Sequence, residues 1–121
     1  AGAAEVAGRR VLELGAGCHG LPSLAAAVAG AAEVLATDVC PYAVELLRRN
    51  LGAFAAGRPG GERAAPVAAQ LDWLDREHGL GLFDVVLGSE VVHERGMGAL
   101  LLGAIDSVLA PDGVALLTSP C

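Results

Sequence analysis

The chain has 121 residues, of which 54% are hydrophobic, 18% are charged and only 3% are aromatic, and its formal net charge is −6. This length suits one domain with a modest aliphatic core, and the composition excludes a disordered chain. The negative charge disfavours a nucleic-acid backbone or an anionic membrane surface as a partner. No apolar run reaches the roughly 18 residues that a membrane-spanning helix requires.

Strand-like and helix-like segments alternate along the chain, which predicts βαβ units and a parallel sheet. The helix that begins near Pro41 should place Val44, Leu47 and Leu51 on one face and end at Asn50 and Gly52. The predicted strands cover residues 10–14, 33–37, 65–71, 83–87 and 114–118, and the other helices cover residues 21–29 and 97–109. Residues 111–113, with the sequence Pro-Asp-Gly, predict a turn before the fifth strand, and residues 72–78 predict a short turn or helix.

The three cysteines, Cys18, Cys40 and Cys121, are an odd number at wide spacing, which is not a disulfide framework. No two of them have the CxxC spacing of a structural zinc site. Residues 1–8 lack the basic start and apolar stretch of a signal peptide. We therefore expect reduced thiols, no bound metal, and a protein of the cytoplasm, with the nucleus as the other compartment.

A glycine-rich loop follows the first predicted strand, where Gly15, Gly17 and Gly20 match the GxGxxG spacing of nucleotide-binding loops. Asp38 ends the next strand, about 20 residues on, where a carboxylate can accept the hydroxyl groups of a ribose. Its alternative role is to cap the helix that begins near Pro41. A dinucleotide and S-adenosylmethionine both remain as ligands, but Glu13 would repel a pyrophosphate, which favours the sulfonium cofactor.

Five motifs in the right order resemble the class I, or seven-β-strand, S-adenosylmethionine-dependent methyltransferases. The combination of LDW, LPSLAAA and GSEVVHE resembles more narrowly the protein-lysine methyltransferase family, of the methyltransferase family 16 type. The five motifs are VLELGAG at residues 11–17, TD at 37–38, LDW at 71–73, FDVVLGSE at 83–90 and LAPDG at 109–113.

This resemblance implies an α/β fold with a Rossmann-like, doubly wound parallel sheet of about five strands in the order 3-2-1-4-5. The usual C-terminal hairpin strands would be lacking, so residues 1–121 would form a single S-adenosylmethionine-binding domain truncated at both ends. The implied reaction is transfer of a methyl group to the amine of a protein lysine, which makes a protein substrate the expected partner. Two alternatives remain: a degenerate domain of this fold that acts as an interaction module, and an NAD-binding Rossmann oxidoreductase.

The resemblance assigns cofactor contacts to the residues around the glycine loop. Gly15, Ala16 and Gly17 would pass under the methionine and ribose parts of S-adenosylmethionine. Glu13 would support the amino end of the cofactor, directly or through water. Asp38 would bind the ribose hydroxyl groups.

The resemblance assigns further roles to residues at or after the ends of the third and fourth strands. Asp72 would accept a hydrogen bond from the adenine amino group, and Trp73 would pack on or beside the ring, unless it simply fills the core. Ser89 would line the cofactor pocket. Glu90 and His93 are the candidate catalytic residues, with Glu90 orienting the target amine and His93 accepting its proton.

Two positions depart from the family pattern. His19 intervenes before Gly20, as if one residue were inserted in the loop, which predicts a reshaped loop. His93 stands where the family usually has an aromatic residue, so its alternative role is that of a surface histidine.

Overall fold

The structure, a computed structural model, describes residues 6–58, 65–75, 77–89 and 97–118. Its strands form one parallel sheet in the order β3-β2-β1-β4-β5, which confirms the predicted fold class. Within these residues, no helix has the length and apolar content needed to cross a membrane. The elements are β1 (Arg10–Leu14), α1 (Leu21–Val28), β2 (Glu33–Asp38), α2 (Pro41–Ala56), β3 (Val67–Gln70), β4 (Phe83–Ser89), α3 (Met97–Val108) and β5 (Leu109–Thr118).

Alternating residues of β1 enter two different parts of the core, as expected for a central parallel strand. Val11 packs with Ala26 and Ala27 of α1, whose small side chains let this helix approach the sheet closely. Leu12 and Leu14 belong to the cluster that α3 covers from the other face. The predicted buried face of α2 is confirmed, and its residues are Val44, Leu47 and Leu51.

The prediction that α2 ends at Asn50 and Gly52 is wrong, because the helix continues to Ala56. Gly within a helix costs about 1 kcal/mol relative to Ala, but Leu51 is 2% exposed and its burial outweighs that local cost. The helix closes instead at Gly57, whose backbone N–H returns to the carbonyl of Ala53.

The fifth strand begins earlier than predicted, and the predicted turn lies inside it. Phe83 pairs with Leu109 and Val85 pairs with Val114, so two steps along β4 face five steps along β5. The Pro-Asp-Gly segment therefore forms a bulge, where a proline without an N–H donor is tolerated. Gly113 fits this bulge because a β-carbon there would lie 2.7 Å from Leu109 Cδ1.

Arg10 ties strands together at the edge of the sheet where the strands begin. Its Nε donates to Glu33 Oε2 at 2.6 Å, and its guanidinium lies 4.5 Å from the centre of the Phe83 ring. The two terminal nitrogens donate to the carbonyl oxygens of Leu80 and Leu82, which holds the segment that leads into β4. Arg10 is therefore a structural residue, and it lies at the edge opposite the glycine loop.

We expect Arg10→Met to lower the free energy of unfolding by about 1–3 kcal/mol, because the Leu80 and Leu82 carbonyl oxygens lose their donor. Glu33→Gln is the matched control, since the exposed ion pair alone contributes at most about 1 kcal/mol. Urea unfolding followed by circular dichroism compares the two variants. An equally small loss in both would contradict a structural role of the two carbonyl contacts.

Candidate functional site

The glycine loop connects β1 to α1 at the carboxyl edge of the sheet. Gly15 and Gly17 both have φ of 65°, in the left-handed region that residues other than glycine rarely adopt. A β-carbon added at Gly17 would meet no atom within 4 Å, so the space beside this residue is open. The loop therefore presents a bare backbone to that space, which a ligand can approach closely.

The third glycine of the motif has a packing role, although an extra residue precedes it. Gly20 has φ of 59°, and a β-carbon there would lie 2.7 Å from Leu47 Cδ1. Glycine therefore suits this position both by its left-handed backbone and by the close approach of α2. His19, the residue before Gly20, is exposed and lies within a turn of the loop.

Asn50 holds the longer loop from the side. Its Nδ2 donates to the carbonyl oxygen of Cys18 at 2.6 Å, which joins α2 to the middle of the loop. The sequence pattern indicates a helix end at Asn50 and does not reveal this contact. The available signal was a polar residue with poor helix propensity in a helix interior, where another interaction must justify it.

Asp38 bonds directly to the glycine loop. Its Oδ2 accepts a hydrogen bond from the backbone N–H of Gly17, and its Oδ1 accepts one from Cys40, both at 3.0 Å. The residue at the N-cap of α2 is Cys40, and no side chain caps this helix end, so the alternative role of Asp38 as helix cap is not observed. Asp38 is half-buried, and a carboxylate has further lone pairs for a ligand hydroxyl group.

The end of β2 is joined to the loop by a second pair of contacts. The backbone N–H of Ala16 donates to the carbonyl oxygen of Thr37 at 2.8 Å. The buried hydroxyl group of Thr37 donates to the carbonyl oxygen of Glu13 at 2.7 Å. These bonds fix the loop against β2, so Asp38 and the glycines keep one relative position.

The segment after β3 lies next to Asp38. Leu71 N–H donates to the Asp38 carbonyl oxygen at 3.0 Å, which places Asp72 near the end of β2. Asp72 is exposed, and its Oδ1 accepts a hydrogen bond from the backbone N–H of Leu74. Trp73 is half-buried and packs against the core cluster that α3 covers, so it does contribute to the core.

The end of β4 completes this edge of the sheet. Ser89 is the last residue of β4, and the residue before it, Gly88, pairs with Leu14 at the start of the glycine loop. The candidate catalytic residues Glu90 and His93 lie outside the described residues. Among the residues that are described, no three histidine, cysteine or acidic side chains cluster in a way that could hold a metal ion.

Glu13 is a buried acid beneath the loop, with 1% of its surface exposed. Its Oε1 accepts hydrogen bonds from the hydroxyl group of Ser23 at 2.6 Å and from the Ser23 backbone N–H at 3.1 Å. Burial raises the pKa of Glu13, the two bonds from Ser23 oppose that rise, and the negative charge of Asp38 adds to it. Since α1 has no capping side chain or acidic residue of its own in its first turn, Glu13 supplies the anionic partner of its amides.

The chain is similar to known methyltransferases over nearly all of its length. A family model described as lysine methyltransferase matches residues 1–120. The chain is 36% identical over 113 residues to EEF1A lysine methyltransferase 3 of Mus musculus, covering 93% of this chain and 45% of that protein. It is 34% identical over 120 residues to protein N-lysine methyltransferase METTL21A of Danio rerio, covering 97% and 52%. The chain thus spans about half the length of these curated relatives.

Solved structures share the fold at low identity. The CcbJ methyltransferase of Streptomyces caelestis matches with a TM-score of 0.70 and 23% identity, covering 95% of this chain and 44% of that chain. PKMT2 of Rickettsia typhi, solved in complex with AdoHcy, matches with a TM-score of 0.69 and 19% identity, covering 91% and 20%. At these identities the likeness shows the fold alone.

We expect Asn50→Ala to loosen the glycine loop while changing the free energy of unfolding by less than about 1 kcal/mol. The variant loses the bond to Cys18 but gains helix propensity, and the two effects oppose each other. Amide hydrogen exchange of residues 17–20 should become faster. Arg49→Ala, next along the same helix, is the control and should leave the exchange unchanged; unchanged exchange in Asn50→Ala would exclude an anchoring role.

The raised pKa of Glu13 predicts a pH-dependent cost of folding. The protonated Glu13 side chain contributes stability that is fully present below 4.5, the ordinary pKa of a glutamic acid. This contribution is lost as the pH rises through the higher pKa of Glu13 in the folded protein. Glu13→Gln has no proton to release, so its unfolding free energy should rise relative to the wild type across this range. Urea denaturation at several pH values measures the difference, with exposed Glu77→Gln as control. A difference that stays constant with pH would contradict the effect of burial.

Proposed function

The chain belongs to the lysine methyltransferase family, and we propose that it binds S-adenosylmethionine over the glycine loop and transfers its methyl group to a protein lysine. One contact supports this most directly, the hydrogen bond from Gly17 N–H to Asp38 Oδ2. It fixes a bare glycine backbone beside a half-buried carboxylate at the carboxyl ends of β1 and β2. Ligands of doubly wound sheets bind at this edge, where the strand order reverses between β1 and β4.

The charges around the loop fit a cationic cofactor. Glu13, Asp38 and Asp72 lie at or near the carboxyl ends of three neighbouring strands, β1, β2 and β3. S-adenosylmethionine carries a sulfonium and an ammonium group, both of which a negative environment attracts. The pyrophosphate of a dinucleotide would be repelled at the same place, so this arrangement and the family membership both argue against an NAD-dependent oxidoreductase.

The residue roles follow from this placement. Asp38 would accept the ribose hydroxyl groups, and the exposed Asp72 would accept the adenine amino group, with Trp73 beside the ring. Glu13 would act on the ammonium group from beneath the loop. Ser89 would line the pocket at the end of β4.

When bound, the cofactor would supply an activated methyl group, because its positively charged sulfur is a good leaving group for in-line attack by a neutral amine. A lysine amine has an ordinary pKa of about 10.4 and must lose a proton before it can react. We infer that Glu90 and His93, which follow β4 directly, orient the amine and accept that proton. In the sheet, β4 pairs with β1, the strand that leads into the glycine loop.

A protein substrate is the partner that we propose, because both curated relatives are named as lysine methyltransferases and one of them as a protein N-lysine methyltransferase. We also propose the cytoplasm, with the nucleus as the other compartment. The supporting feature is the cysteine content, since three widely spaced cysteines suit a reducing environment.

We expect isothermal titration to show that the chain binds S-adenosylmethionine and S-adenosylhomocysteine but not NAD. Asp38→Ala should weaken cofactor binding by about tenfold or more, because it removes the ribose acceptor and the anchor of Gly17. Asp38→Asn keeps one acceptor oxygen and should lose less. Asp106→Asn, an exposed position on α3, is the control.

Transfer is measured with the same variants and methyl-labelled cofactor on a cell lysate, with mass spectrometry to identify methylated lysine. The label should appear on lysine and decrease in Asp38→Ala. Failure of the wild type to bind S-adenosylmethionine would overturn the proposal. Binding without any transfer would favour the interaction module instead.

A further inference from the structure

One buried polar contact at the glycine loop has no explanation in the packing of the core. Ser23 has none of its surface exposed, and both its hydroxyl group and its backbone N–H donate to Glu13 Oε1. The two residues lie ten positions apart, on either side of the glycine loop. The contact therefore joins the end of β1 to the first turn of α1 directly beneath that loop.

Ser23 is the only polar residue of α1, although its side chain is buried. The remaining residues of α1 are Leu, Pro, Ala and Val, so an alanine at this position would continue the pattern. A buried carboxylate is unfavourable unless hydrogen bonds satisfy it, and an apolar residue in its place would avoid that requirement. The chain instead keeps a buried acid together with the hydroxyl group that satisfies it.

No positive charge of the described residues balances Glu13. The nearest charged element, β2, contributes Asp38, which is also negative. The helix α1 carries no titratable side chain, and Asp84 of β4 lies at the opposite edge, where it accepts from the Arg10 backbone N–H. The titratable residues of the loop itself are Cys18 and His19, and none of the ion pairs in the described part of the chain includes Glu13.

We propose that Ser23 is a positioning residue of the cofactor site: its hydroxyl group fixes the Glu13 carboxylate and keeps it charged beneath the glycine loop, where that charge attracts the α-ammonium group of S-adenosylmethionine. This inference rests on the proposed function. Direct contact is not required, because opposite charges on the two sides of the loop backbone still attract each other.

Two ligands separate this role from a merely structural one. S-adenosylhomocysteine carries the α-ammonium group, whereas 5′-methylthioadenosine has the same adenosine without the amino acid. Ser23→Ala should bind S-adenosylhomocysteine about tenfold more weakly and methylthioadenosine within about twofold of the wild type. Ser107→Ala, which removes a helix hydroxyl group on α3, is the matched control and should change neither affinity.

The pH profile supplies a second readout. Without the Ser23 hydroxyl group, the pKa of Glu13 rises further, because a hydrogen bond to the charged form is lost. As the pH is lowered, affinity for S-adenosylhomocysteine should therefore begin to fall at a higher pH in Ser23→Ala than in the wild type. The ribose contact proposed for Asp38 is common to both ligands, so the difference between the two ligands isolates Glu13.

A double variant and a ligand-free measurement decide the remaining outcomes. In a Glu13→Gln background, Ser23→Ala should no longer lower the affinity for one ligand more than for the other. In the wild-type background, Ser23→Thr keeps the hydroxyl group and should retain the wild-type ratio of the two affinities. An equal loss for both ligands would overturn the proposal and leave only a structural role. If the wild type bound neither ligand, the proposed function would fail, and carbon NMR titration of Glu13 would still test the contact: an unchanged Glu13 pKa in Ser23→Ala would overturn it.

Discussion

The short connection between β1 and α1 is the constraint on which the rest of this edge depends. Six residues, 15–20, must turn the chain from a central strand that is buried on both faces into a helix that lies against the same sheet. Gly15, Gly17 and Gly20 all adopt left-handed backbone conformations in this turn. Such a loop has little packing of its own, so bonds from other elements must hold it. Those bonds come from Asp38, Thr37 and Asn50.

The charge of Glu13 follows from the same constraint. A helix that starts at a glycine has no capping side chain, so its first amides need an acceptor from elsewhere. Glu13 supplies that acceptor from the end of β1, but burial makes its charged form unfavourable. A neutral acceptor would cap the helix with a smaller cost to folding. A charged acceptor also attracts a positive group that binds next to it, which connects the charge beneath this loop to its proposed ligand.

The sequence predicted the features that depend on neighbouring residues and missed those that join distant ones. Hydrophobic periodicity predicted the alternating strands and helices and the buried face of α2, the glycine spacing located the loop, and the family resemblance implied the strand order. The helix-end signals at Asn50 and Gly52 were wrong, because Asn50 bonds to the distant Cys18 and the helix continues to Ala56. The partners of Glu13 and Cys18 lie 10 and 32 residues away, and no local pattern reveals such pairs. The roles of Glu90 and His93 stay predictions.

The polar residues at the two ends of the strands have different roles, in stability at one end and in the proposed binding at the other. At the edge where the strands begin, Arg10 neutralises Glu33 and satisfies backbone carbonyl groups, so the polar groups there bond to one another. At the opposite edge, Asp38 and Asp72 accept only backbone N–H groups among the described residues, and none of the ion pairs found there includes them. On the proposed function, these carboxylates act differently on the two forms of the cofactor. S-adenosylmethionine carries a positive sulfur and its product does not, so methyl transfer itself removes one electrostatic attraction.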